Sequence, residues 1–202
     1  MPVLDSDIVV YGAQNHAEDD SSVQGGAIDT TVRLVFVDID PAGTIEAVSD
    51  NAGDTTQDLT VVGLNAAGEV VTEQQTLNGT TPVAFSQTIA TILKATLSGA
   101  AAGNVTVREA GGGDTLMVFE PGLLQIRRPF YLAAAEASGG AQRKYYEKIF
   151  FRNNNPSLSL TNAVISELSD PSGKIAFALE TSLDGTGTSA NRRTAPASGV
   201  TA

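Results

Sequence analysis

The chain has 202 residues, 42% of them hydrophobic but only 5% aromatic, with no tryptophan and no cysteine. That length suits one large or two small domains, and two are expected. The missing cysteine excludes disulfide staples, thiolate nucleophiles and cysteine metal sites, so stability must come from packing and subunit contacts. Net charge is −11, divided unevenly: residues 1–120 hold 17 acids against Arg33, Lys94 and Arg108, whereas residues 121–202 hold nine bases against six acids.

In chain order, "DIVVYG" (Asp7 to Gly12) is the first strand candidate. It leads into "AQNHAEDDSSVQGGAID", which lacks a hydrophobic period and is expected to be an exposed loop or arm. "TTVRLVFVDI" (Thr30 to Ile39) is a near-continuous apolar run and predicts one strand buried on both faces. "DPAG" (Asp40 to Gly43) has the residue types of a turn. Then "DLTVVGLN", "AAG", "EVVTEQQTL" and "NG" spell strand, tight turn, strand, turn. In "EVVTEQQTL", Val71, Glu73 and Gln75 share one face and Val70, Thr72, Gln74 and Thr76 the other. Its apolar face is weak, so it is expected at a sheet edge or facing an assembly partner. "PVAFSQTIATILKATLSG" is ambiguous: Phe85, Ile89, Ile92 and Leu93 fit a helical spacing, but "TILKATL" alternates and the Thr-rich, β-branched content favours a strand. "GNVTVREA" is a further strand, followed by the "GGGD" turn or hinge.

Beyond it, "TLMVF" and "LLQIRRPFYLA" are strand candidates joined at Pro121-Gly122, and "ASGGAQ" is a loop. "RKYYEKIFFRN" alternates, with Tyr146, Lys148 and Phe150 on one face and Tyr145, Glu147, Ile149 and Phe151 on the other. "LSLTNAVISEL" and "KIAFALE" continue at the spacing of a β-sandwich. The tail "TSLDGTGTSANRRTAPASGVTA" has almost no hydrophobic content and is expected to be an extended arm. The expected fold is therefore all-β: an acidic β domain with an N-terminal arm (1–115), an immunoglobulin-like β-sandwich (116–182) and an extended C-terminal arm (183–202), the domains dividing near Gly113 to Pro121.

Residues that could carry chemistry are few. His16 is the only histidine, in a loop beside Glu18, Asp19 and Asp20, and is read as solvated. "DIDPAGTIE" begins like a calcium loop with Asp38, Asp40 and Gly43, but Ala42 and Ser49 stand where that motif needs oxygen ligands. "DNAGDTTQD", with Asp50, Asp54 and Asp58, could gather oxygens around a divalent ion, against the plainer reading of a solvated acidic turn. "EAGGGDTL" lacks the Gly-Lys-Ser/Thr ending of a phosphate loop. Arg127, Arg128, Arg143, Lys144, Lys148 and Arg152 interleave with Phe130, Tyr131, Tyr145, Tyr146, Phe150 and Phe151. Such a pattern can grip single-stranded nucleic acid. On alternating strands, a protein interface with acidic surfaces is the preferred reading, the first domain of a neighbouring copy among them. No cofactor, metal or nucleic acid is expected.

Two blocks resemble modules of known proteins. "GLNAAGEVVTEQQTLNGTTPV" with "ATILKATLSGAAAGNVTV" is similar to a module that recurs in virion structural proteins of tailed bacteriophages. "YYEKIFFRNNNPSLSLTNAVISE", with "IAFALE" and "NRRTAPASGVT", resembles an immunoglobulin-like module of such proteins. The resemblance implies a place in a particle and carries no catalytic residue. The expectation is a non-enzymatic head-proximal accessory protein, decorating or cementing the capsid or forming part of the neck or collar. A tail tube, baseplate or fibre component is the alternative within that class, and a carbohydrate-binding or adhesive β module the alternative outside it. Expected partners are other copies of the chain and virion proteins (major capsid, portal, neck or tail). "MPVLDSDIVV" lacks the marks of a secretory signal and no stretch is long enough to span a membrane, so synthesis in the host cytoplasm is expected.

Overall fold

A computed structural model describes residues 3–14, 26–131 and 147–161. The described elements are strands and one 3₁₀ turn, in agreement with the all-β expectation. The chain forms two compact units, one of Thr30–Gln142 and one of Met1–Asp29 with Arg143–Ala202.

In the Thr30–Gln142 unit, two sheets enclose one core in a β-sandwich-like arrangement. The larger sheet runs in the order β2 (Ile28–Leu34), β11 (Gln125–Arg127), β8 (Ile89–Leu97), β5 (Asp58–Leu64), β6 (Val70–Thr76), with β3 (Val37–Gly43) also paired to β8. The smaller sheet has the order β10 (Thr115–Phe119), β9 (Val105–Glu109), β4 (Ile45–Ser49), β7 (Val83–Ala84). Alternation explains the core: Leu59 and Val61 of β5, Ala95 and Leu97 of β8, Ile45 and Ala47 of β4, and Val105 and Val107 of β9 are all buried. Met117 and Phe119 of β10 add to it.

Several expected elements take a different form. The run Thr30 to Ile39 is two strands, because burial falls on Val32 and Leu34 and then shifts phase to Val37 and Ile39. Phe36, at the shift, is 69% exposed. "DPAG" is not a chain reversal: Asp40 to Gly43 lie within β3, where the β3–β8 register shifts between Asp38 and Gly43. Proline and glycine are tolerated at such irregularities because the ladder is already broken there. The chain then passes through Thr44 into β4, a buried strand that was not expected.

β8 is a strand, and its helix-like spacing has a local cause. The β5–β8 register shifts between Val62 and Gly63, and Ile92 and Leu93 are both buried, one after the other. Gly63 sits opposite, where a Cβ would come 2.7 Å from the Thr91 carbonyl oxygen. β11 is only three residues long, since Pro129 follows and Phe130 takes a positive φ of 53°. The boundary expected near Gly113 to Pro121 falls inside this unit: β10 pairs antiparallel with β9, and β11 pairs with β8. The three glycines there close the β9–β10 hairpin, with Gly111 and Gly112 at φ of 80° and 79°.

In the other unit, β1 (Ile8–Ala13) pairs antiparallel with β12 (Ile149–Asn153). The strand expected over "DIVVYG" is thus present as Ile8–Ala13. Asparagines then organise the chain after β12. Asn154 Nδ2 donates to the Tyr11 hydroxyl at 3.1 Å, Asn155 Nδ2 donates to Asp7 at 2.8 Å, and Asn155 Oδ1 accepts the Ser157 and Leu158 amides. Of the expected strand "LSLTNAVISEL", Leu158 to Thr161 form no strand. The rest of it, "KIAFALE", the loop "ASGGAQ" and the C-terminal arm lie outside the described residues.

Candidate functional site

The segment "DNAGDTTQD" is a largely exposed turn in which Asp54 alone is buried. Asp54 is 1% exposed and accepts from the Ser49 hydroxyl (2.6 Å), the Ala102 amide (2.8 Å) and the Gly103 amide (3.0 Å). Its own carbonyl accepts the Gly79 amide at 2.8 Å. Asp54 therefore ties the loop after β4 to the segment before β9 through its carboxylate and to the turn at Asn78-Gly79 through its backbone carbonyl. Asp50 accepts from the Asn104 amide and side chain, both at 2.8 Å, and Asp58 accepts from the Thr76 hydroxyl at 2.6 Å. The three acids serve three separate sets of donors. Among the described residues no group of three or more His, Asp or Glu side chains is placed to hold a metal ion.

Two glutamates act in the same way. Glu46 faces Arg108 across the β4–β9 pair at 2.7 Å and accepts the Gly111 and Gly112 amides, so it holds the glycine turn. Glu73 of β6 accepts from the Ser86 and Gln87 amides, the Ser86 hydroxyl and the Gln75 side chain. These contacts stabilise the ionised forms. The Ser49 hydroxyl, followed by the Ala102 amide, holds the Asp54 carboxyl below its ordinary value, and the Gly111 amide and Arg108 do the same for Glu46. For Glu73, burial pushes the carboxyl up, but the Ser86 and Gln87 amides outweigh it and the net shift is downward.

The six basic residues expected at an interface are distributed differently. Arg127 is 1% exposed, so it does not present the surface expected of it. Its guanidinium and the Lys94 ammonium lie 5.4 and 4.9 Å from the centroid of the Tyr131 ring, and Arg127 and Lys94 are direct neighbours across β11 and β8. The shared aromatic ring attracts both charges and offsets their repulsion. Arg128 stacks over the exposed Phe36 ring at 5.1 Å and approaches Asp38 at 3.5 Å, while Asp38 also accepts from Thr91. Lys148 lies over the Phe150 ring at 5.1 Å, and Arg152 is exposed on β12 beside exposed Phe151. Arg143, Lys144 and His16 lie outside the described residues.

A surface that the basic residues did not announce stands out on the larger sheet. Register places Asp58, Thr60, Val62 and Leu64 of β5 opposite Thr76, Gln74, Thr72 and Val70 of β6, and Thr60 and Val62 opposite Thr96 and Lys94 of β8. Gln125 of β11 joins the row through its side-chain hydrogen bond to Thr96 at 3.3 Å. This face turns away from the core face of Leu59, Val61, Ala95 and Leu97. Its members are half-buried or exposed and mostly uncharged hydroxyl, amide and aliphatic groups. Among the described residues β6 stands at the end of the sheet, as its weak apolar face predicts. No family model, curated protein or solved structure matches this chain. The physical character of its surfaces is therefore what bears on function. The alternation of "DLTVVGL" against "EVVTEQQT" was the signal for this face, and it could be read only once the two strands were known to be neighbours.

Proposed function

We propose that this chain is a non-enzymatic structural protein of a tailed-phage virion, a head-proximal accessory protein that decorates or cements the capsid or forms part of the neck or collar. Within that reading it docks through broad sheet faces and terminal arms, its later segment forms an immunoglobulin-like module, and its partners are further copies of itself and other virion proteins. The observation that carries the reading is the largely uncharged Thr/Gln/Val face of β5, β6 and β8, which among the described residues ends at the edge strand β6. Such a face offers hydroxyls, amides and aliphatic groups over a wide area, a character suited to repeated modest contacts that multivalency strengthens. The carboxylates beside it are engaged in holding backbone turns, which is scaffold work. The resemblance of the Leu59 to Thr81 and Tyr145 to Glu167 blocks to phage virion modules supplies the biological setting.

Quantitative mass spectrometry of purified virions tests this. The chain is expected at a fixed stoichiometry to the major capsid protein, in lattice-like numbers for a decoration protein and in ring-like numbers for a neck protein. Absence from the particle, with the chain found only in the lysate, overturns the proposal.

A further inference from the structure

The backbone of β6 shows which of its groups are left for a partner. Leu77 N–H bonds the Gln57 carbonyl at one end of the β5–β6 ladder, and Asn65 N–H bonds the Glu69 carbonyl at the other, both at 2.9 Å. Between them the register runs without a shift from Asp58↔Thr76 to Leu64↔Val70. In an antiparallel pair, hydrogen-bonded and non-bonded positions alternate. Val71, Glu73 and Gln75 therefore direct their amide and carbonyl groups at β5. Val70, Thr72, Gln74 and Thr76 direct theirs outward, where no strand pairs with them among the described residues.

Edge strands commonly carry a lysine, a proline or a bulge that discourages further pairing. β6 has none of these. Its one charge, Glu73, is bound to the Ser86 and Gln87 amides and so does not guard the edge. The four outward residues are exposed and uncharged, so a strand with a charged row gains nothing there, while an identical row meets it without repulsion. The order is also self-complementary. A two-fold axis at Glu73 sets Val70 against Thr76 and Thr72 against Gln74 of the second strand, and every one of those residues has outward-facing backbone groups. The same axis brings the two Glu73 side chains opposite one another on the other face, a like-charge pair whose repulsion is reduced because each carboxylate is bound to its own Ser86 and Gln87 amides.

We infer that β6 is a self-pairing edge: a second copy of this chain adds its own β6 antiparallel about Glu73, joining two larger sheets into one. Each of the Val70–Thr76 and Thr72–Gln74 pairs then exchanges two backbone hydrogen bonds, and the contact is isologous and closes at two copies. A seven-residue strand makes a narrow interface, so the isolated pair is weak and gains strength when repeated in an assembly. This inference deepens the proposed function, which rests on docking through sheet surfaces, but it is tested on the purified chain alone. A chain that pairs in solution yet is absent from virions would sink the virion reading and leave this one standing.

The test is sedimentation velocity of the full chain over rising concentration, with amide hydrogen exchange on the same samples. The wild type is expected to shift from monomer towards dimer, and the Val70, Thr72, Gln74 and Thr76 amides to slow in step with the paired fraction. Gln74→Pro removes an outward N–H without touching the β5 ladder and is expected to abolish the shift. Thr72→Lys with Gln74→Lys sets like charges opposite one another and is expected to abolish it too, whereas Thr72→Lys with Gln74→Glu restores it through opposite-charge pairs. Should Gln74→Pro fail to fold, the two charge variants decide. A wild type that stays monomeric, a dimer that leaves the four amides unprotected, or a Lys/Glu variant no better than the Lys/Lys one overturns the inference.

Discussion

Two ends of one unit use polar groups in opposite ways. Where the loop after β4 meets the segment before β9, a buried carboxylate takes up amide and hydroxyl donors of the same chain. Along β6 the side chains are exposed, and the backbone groups of alternate residues point away from the sheet. Both regions are rich in small polar residues and look alike in composition. The difference lies in whether the backbone donors find acceptors within the same chain, which separates a rigid support from a surface available for assembly.

The comparison can be broken most sharply at Asp54. Asp54→Ala strands the Ser49 hydroxyl and the Ala102 and Gly103 amides and is expected to lower stability by about 3 kcal/mol, read as a fall in the urea midpoint. Asp54→Asn, which keeps acceptor oxygen on one side, should lose clearly less; equal losses would mean that the carboxylate is not the tie. Next is Gly103→Ala. A Cβ there would collide with Asp50 Oδ1 and lie 2.7 Å from the Asn51 Cβ, so a loss of about 2 kcal/mol is expected in the same urea titration.

Acid should weaken the clamped region in a defined window. Asp54, Glu46 and Glu73 all have lowered carboxyl values in the folded chain, so the unfolded chain binds more protons as pH falls below the ordinary values of 3.8 and 4.5. Their contribution is fully present above those values and is lost as pH falls through the lower folded ones. Urea midpoints between pH 7 and pH 2 should hold nearly level down to about pH 5 and then drop, with a shallower drop in Asp54→Asn. The smallest effect belongs to the edge: Thr72→Lys should change monomer stability by no more than about 0.5 kcal/mol, because the side chain is exposed and touches no special feature. A large loss in dilute urea titrations would show that β6 supports the fold in a way its exposure does not reveal.

Strand identity was largely readable where alternation was clean, as in "DLTVVGLN", "EVVTEQQTL", "NVTVRE" and "TLMVF". The edge position of β6 followed from its weak apolar face. β4 escaped notice because "IEAVS" is short, and its Glu46 appears polar until it meets Arg108 and the glycine turn. The basic row also misled: Arg127 has a surface residue's chemistry, yet its cross-strand neighbour Lys94 comes from a distant part of the chain and shares the Tyr131 ring with it. The same holds for Asp54, whose donors at residues 102 and 103 are far away in sequence.

By itself, the order of residues determined the β character, most of the strands and the low charge of β6, because side-chain alternation and turn chemistry act over a few neighbouring positions. Tertiary structure alone decided which strands became neighbours, that the Gly113 to Pro121 stretch runs inside one unit, and which carboxylates are closed around backbone donors. Those outcomes depend on contacts between residues tens of positions apart, and only the folded pairing of strands brings their hydrogen-bonding groups within reach of one another.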